Sequence, residues 1–162
     1  MSFHRRASWL TGAAILGAVL MTAACAKNPA DDPSQYGAAA PGSPGDFSQN
    51  VGDRVFFETD SSDLTPTAQA TLDKQARWLN QYANYAFTVE GHADERGTRE
   101  YNFALGARRA EVVKDYLAAR GINPGRMHTV SYGKERPVAV CNDISCWSQN
   151  RRVVTVLGGN QS

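Results

Sequence analysis

Asp94 and Arg109 are the residues of this 162-residue chain whose types and spacing point most directly to chemistry. Asp94 follows Ala86-Phe87-Thr88-Val89-Glu90, an alternating run that reads as a half-buried strand. It precedes the polar turn Glu95-Arg96-Gly97-Thr98. Arg109 falls well inside the helix expected next. Asn102, Leu105 and Arg109 are spaced i, i+3 and i+7, so they share one helix face. That face runs on into Val112, Val113 and Tyr116. An arginine aimed at the sheet side of a helix is unexpected without a partner. Either Arg109 forms a structural salt bridge to Asp94, or its guanidinium fork holds a ligand carboxylate. Asp94 also has two roles open: capping its turn through backbone amides, or pairing with a cation. An acid and a base across one small cleft suit a ligand that carries both an ammonium and a carboxylate.

Neighbouring groups complete such a cleft. Thr59 and Asp60, at the end of the first strand, come near the turn that holds Asp94. Amides at the helix start, around Gly97 and Thr98, are placed to donate to an anion. Asn150 and Arg151 precede the last strand and brace the cleft, while Arg108 points into solvent. Hydrolysis would need a base, a nucleophile and an orienting group together. His92 and Asp94 are the only candidates nearby, and no activated Ser or Cys accompanies them. A binding protein without catalytic activity or cofactor is therefore expected. A metal centre is not, because His92 and His128 have no ligand spacing to the cysteines.

The elements that must position these residues read clearly. Val55-Phe56-Phe57 is a short first strand. Thr65-Pro66 is a helix start, with a hydroxyl cap before a proline in the first turn. Leu72, Ala76, Leu79 and Ala83 repeat at helical spacing, widened by Trp78 and Tyr82, and form a core-facing stripe. A second helix spans about residues 99–120, buries Leu105, Val112, Val113, Tyr116 and Leu117, and stops at Gly121, where a left-handed residue is wanted. Residues 127–132 form a third strand. Residues 133–147 form a loop, with room for a short helix before a last strand at Val153-Val154-Thr155-Val156. The order βαβαββ predicts an α+β sandwich with two helices packed on one face of a mixed four-stranded sheet.

The N-terminus differs from the rest. Arg5 and Arg6 precede an apolar segment from Trp9 to Met21, followed by Thr22-Ala23-Ala24-Cys25. This is the layout of an export signal, and the apolar part is short of the roughly 20 residues of a membrane span. Small residues immediately before Cys25 resemble the lipobox of bacterial lipoproteins, in which the cysteine becomes the acylated N-terminus. Simple cleavage after Ala24 without lipid is the competing reading. Residues 1–24 are thus expected as signal, 25–50 as lipidated N-terminus and flexible linker, and 51–162 as the folded domain. Some 25 linker residues, rich in Ala, Pro, Gly, Asp and Ser, would stretch to on the order of 80 Å. Three cysteines in an exported chain leave one over, and lipidation accounts for Cys25. Cys141 and Cys146 pair in an oxidising compartment or remain free thiols. Arg5 and Arg6 are the only basic residues of the signal, so of 17 basic side chains 15 remain against 16 acidic ones. That near-neutral balance gives no case for nucleic-acid binding.

Gly91-His92-Ala93-Asp94, Gly97-Thr98, Tyr101-Asn102, Leu105-Gly106 and Arg109-Ala110 together resemble the peptidoglycan-binding signature of OmpA-like C-terminal domains. Asp94-Glu95-Arg96-Gly97-Thr98, Ser131-Tyr132-Gly133-Lys134-Glu135 and Asn150-Arg151-Arg152 are similar to the peptidoglycan-associated lipoproteins of that family. The resemblance covers about residues 51–157. It implies non-covalent binding of the diaminopimelate side chain of peptidoglycan stem peptides, with Asp94 pairing the ammonium and Arg109 a carboxylate. It further implies an outer-membrane anchor, a periplasmic domain, and TolB and other Tol proteins as partners in envelope constriction. The alternative is a periplasmic adaptor that binds only proteins. Two places depart from the common family pattern: Glu58-Thr59-Asp60, and the loop carrying Cys141 and Cys146.

Overall fold

Every apolar stripe in the sequence has to close against another, and one sheet covered on one face by helices achieves it. In the computed structural model, which describes residues 39–158, the strands are β1 (Arg54–Phe56), β2 (Phe87–His92), β3 (Met127–Gly133) and β4 (Arg152–Leu157). The helices are α1 (Pro44–Asp46), α2 (Pro66–Gln81), α3 (Arg99–Ala118) and α4 (Ile144–Asn150). The sheet order is β1-β4-β2-β3. β4 runs antiparallel to both β1 and β2, whereas β2 and β3 are parallel and need the crossover that α3 supplies. The expected α+β sandwich, two long helices on a mixed four-stranded sheet, is the fold observed.

α2 starts as its sequence requires: the Thr65 hydroxyl accepts from the Ala68 amide at 3.2 Å, with Pro66 in the first turn. Its face buries Ala68, Leu72, Ala76, Trp78 and Leu79 against Val55, Phe87, Val89 and Val153. Ala83 does not belong to that stripe, since it lies beyond the helix end and is exposed. Gln75 is a buried polar residue of the same face. Its Nε2 donates to the Gly52 carbonyl at 2.7 Å and its Oε1 accepts from Thr155 Oγ1 at 2.9 Å, so no polar group is stranded.

The folded unit begins earlier than expected. Residues 25–50 read as linker, yet α1 and the π-helical turns over Phe47–Gly52 are folded onto the domain. Phe47 is buried against Trp78, with ring centroids 4.9 Å apart. Trp78 Nε1 donates to Asp46 Oδ2 at 2.8 Å, and the Tyr85 hydroxyl donates to the Gly42 carbonyl at 2.9 Å. Two residues, Trp78 of α2 and Tyr85 just before β2, thus order a segment whose own composition shows no periodicity. The signal, Cys25 and the first part of the linker lie outside the described residues. No helix among the described residues is long and apolar enough to cross a membrane.

α3 lies unusually close to the sheet at its N-terminal half. A Cβ on Gly91 would stand 1.9 Å from the Gly106 carbonyl oxygen, and one on Gly106 would stand 2.4 Å from Ser131 Oγ. These two glycines let helix and strands approach until the Ser131 hydroxyl donates to the Phe103 carbonyl at 2.7 Å. That approach brings Asn102, Leu105 and Arg109 down to the ends of β1 and β2.

Candidate ligand-binding cleft

At the ends of β1 and β2, beside the first turns of α3, lies a cleft of about 260 Å³, lined by Thr59, Asp60, Asp94, Arg96, Gly97, Tyr101, Asn102, Leu105 and Arg109. Its volume suits one amino acid, being smaller than the pockets of about 300–1,000 Å³ that take drug-sized ligands. Seven of the eight residues expected at a ligand site border it. Thr98 does not: its hydroxyl accepts from the Tyr101 amide at 3.2 Å and caps α3. The residue just before a helix start is the ordinary place for such a cap.

Arg109 forms the floor and is fully buried. It makes no salt bridge to Asp94, which removes the structural ion pair as an explanation of its burial. Instead Nε donates to the Ser61 carbonyl at 2.8 Å, Nη1 to the His92 carbonyl at 2.9 Å and Nη2 to the Glu58 carbonyl at 3.1 Å. The guanidinium therefore ties together the ends of β1 and β2. Burial, reinforced by the charge of Arg151, pushes its pKa down to about 10. Among the described residues, no carboxylate lies within ion-pair distance of it. A guanidinium has five N–H donors, so two remain after the three carbonyls.

Asp94 is the opposite wall and is 7% exposed. Its Oδ1 accepts from the Arg96 amide at 3.2 Å and from Arg96 Nε at 3.1 Å; its Oδ2 accepts from Arg96 Nη2 at 2.7 Å and Arg151 Nη1 at 3.3 Å. The amide contact is the turn-capping role, and the arginine contacts are additional. Burial pushes the Asp94 carboxyl upward, but the hydrogen bonds from Arg96 and Arg151 outweigh it and hold the group below its ordinary value. Arg151 also donates from Nε to the Phe57 carbonyl at 2.9 Å, so it braces the cleft as expected. Asn150 does not: it holds the loop before α4, accepting from the Val138 and Ala139 amides at 2.9 and 3.2 Å.

The turn between Asp94 and α3 is fixed from several sides. Gly97 has φ +88°, a left-handed conformation that costs glycine little. Asn102 Nδ2 donates to the Arg96 carbonyl at 2.7 Å, and Lys134 Nζ donates to the Gly97 carbonyl at 2.6 Å. Asp60, itself at φ 56°, accepts from the Tyr101 hydroxyl, which joins the β1 wall to the α3 wall. Arg96 and Tyr101 are site residues that sequence reasoning missed. Their position in the same turn and first helical turn as Asp94 was the available signal. His92 is buried and does not line the cleft; burial, then the charges of Arg152 and Arg136, hold its pKa down at about 4. Cys141 and Cys146 are joined in a disulfide at the start of α4, with Cα atoms 5.7 Å apart. Asp143 lies beside them, but sulfurs bonded to each other offer no thiolate to a metal.

Comparison with known proteins bears on this geometry. Residues 56–151 match the model of the OmpA family. The chain is 70% identical over 123 residues to a peptidoglycan-associated lipoprotein of Rhizobium meliloti (strain 1021), covering 76% of this chain and 70% of that one. It is 64% identical over 123 residues to one from Brucella melitensis, covering 76% and 73%. The crystal structure of the peptidoglycan-associated lipoprotein from Burkholderia pseudomallei superposes with a TM-score of 0.64 at 40% identity, covering 65% of this chain and 90% of that one. The C-terminal domain of Helicobacter pylori MotB shares the fold at 22% identity and a TM-score of 0.62, covering 67% and 86%. With the matched segment spanning the whole cleft, the chain belongs to the OmpA family and, within it, to the peptidoglycan-associated lipoproteins.

Proposed function

We propose that this chain binds peptidoglycan non-covalently by taking the diaminopimelate side chain of a stem peptide into the Asp94–Arg109 cleft. The observation that carries this is Arg109: a buried cation bonded only to carbonyls, with two donors left, at the floor of an amino-acid-sized cleft. A ligand carboxylate would supply the missing counter-ion through two parallel hydrogen bonds. The ligand ammonium would go to Asp94. Thr59, Asp60, Gly97, Asn102 and Leu105 shape the walls between them.

In this reading Cys25 carries the acyl chains, the outer membrane holds them, and the domain works in the periplasm as a link between membrane and wall. A tethered domain need not bind tightly, because the tether keeps its effective concentration near the wall high. Family membership supports placing the chain in the Tol-Pal system, with TolB and other Tol proteins as partners in envelope integrity and cell division. Sedimentation with purified sacculi tests the binding. The parent is expected to co-sediment without releasing fragments, and Asp94→Asn to lose most of that binding. A folded Asp94→Asn chain that sediments like the parent would favour an adaptor that contacts only proteins. Mass spectrometry of the mature N-terminus tests acylation at Cys25.

A further inference from the structure

Asp94 is already full. An ionised carboxylate offers about four lone-pair positions, and the Arg96 amide, Arg96 Nε, Arg96 Nη2 and Arg151 Nη1 occupy four. An ammonium that reaches Asp94 must displace one of these donors. Arg151 is poorly placed to yield, because its side chain is 5% exposed and also holds the Phe57 carbonyl. The Arg96 side chain is 40% exposed and makes no other side-chain hydrogen bond among the described residues.

What Arg96 does have is an aromatic surface beneath it. Its guanidinium carbon stands 4.1 Å from the centroid of the Trp147 ring. Trp147 is fixed in turn: its Nε1 donates to Glu95 Oε1, and its helix begins inside the Cys141–Cys146 ring. Asp143 caps that helix, accepting from the Ser145 amide at 2.8 Å. Attraction between a cation and a ring face is spread over the face. A guanidinium can therefore slip off Asp94 and stay on Trp147, with the Glu95 carboxylate still nearby.

We propose that Arg96 is an internal stand-in for the ligand's ammonium, and that Trp147 is the seat it keeps once the ligand has displaced it. Arg96 then sets how readily the cleft accepts an amine, whereas its contact with Trp147, kept in both states, holds it beside the cleft. This inference rests on the reading of the cleft as a diaminopimelate site.

Calorimetric titration of the full-length chain in detergent with a soluble diaminopimelate-bearing tripeptide tests it. Arg96→Ala is expected to bind several-fold tighter than the parent, because the competitor is gone. Trp147→Ala is expected to stay within about twofold of the parent, because a contact kept in both the free and the bound state shifts no binding equilibrium. Trp147→Phe keeps a ring face and should stay near the parent. Trp147→Ala in the Arg96→Ala background should likewise change little, so the two substitutions add in a double-mutant cycle. Weaker binding by a folded Arg96→Ala chain overturns the exchange, and a several-fold change in binding by a folded Trp147→Ala chain overturns the kept seat. Either result leaves the cleft reading standing if the parent binds and Asp94→Asn does not. A parent chain that binds no tripeptide overturns both.

Discussion

Arg109 and Arg96 face one cleft and are held in opposite ways. Arg109 is completely buried and spends its donors on three backbone carbonyls from two segments of chain. Arg96 is two-fifths exposed, bonded to a carboxylate two residues away and resting on a ring. The first arginine is part of the architecture, and moving it would move the strand ends. The second is a replaceable cation. The same side chain can be scaffold or reagent, and its partners, not its charge, decide which.

The sharpest way to break this contrast is to delete each arginine and measure folding. Arg109→Ala strands the carbonyls of Ser61, His92 and Glu58 and is expected to cost about 4 kcal/mol, at about 1–3 kcal/mol per stranded group less the relief of removing a buried charge. Urea denaturation measures this, and Arg96→Ala should leave the midpoint nearly where it was. Equal losses from the two variants would erase the distinction.

Acid probes the fixed side selectively. His92, whose carbonyl anchors Arg109, titrates at about 4 when folded, against 6.5 ordinarily. Protonation therefore favours the unfolded chain. The contribution is complete above pH 6.5, shrinks between 6.5 and 4, and stays lost below, amounting to roughly 3 kcal/mol. Denaturation curves at pH 7, 5 and 4 should show a steeper fall for the parent than for His92→Gln. Parallel profiles would refute it.

A smaller effect is expected from Gly106→Ala. The new methyl meets Ser131 Oγ at 2.4 Å and the Gly91 carbonyl oxygen at 3.0 Å. Relief requires α3 to lift, which costs about 2 kcal/mol and draws Arg109 off its carbonyls. Tripeptide affinity should fall along with stability. Unchanged affinity would show that Arg109 does not depend on the close approach of α3.

The fold was readable because its signals are local. The Thr65-Pro66 start, the stripe through Leu72, Ala76 and Leu79, the alternation of β2 and the stop at Gly121 each follow from short-range spacing. The face shared by Asn102, Leu105 and Arg109 was equally visible, and so was the convergence on Asp94. Partner choice was not. Sequence offered Arg109 a carboxylate, and folding gave it carbonyls, because the ends of β1 and β2 expose acceptors whose position only the tertiary structure fixes. Asp94 found one arginine two residues on, in Arg96, and a second, Arg151, that only the tertiary structure brings to it. Phe47 went unread for a related reason. A single apolar residue among polar ones has no period, and its pocket is built by Trp78.

The stitching of residues 42–52 to α2 and to Tyr85 shortens the leash. For a lipid at Cys25, the stretch left to span the gap ends near Gly42 rather than at the first strand. Its greatest reach falls from the order of 80 Å to about 60 Å, at 3.3–3.6 Å per residue. With the anchor proposed at Cys25, the domain's reach from a bilayer would be set by where Tyr85 and Trp78 grip the chain, and loosening that grip would lengthen the line without adding a residue.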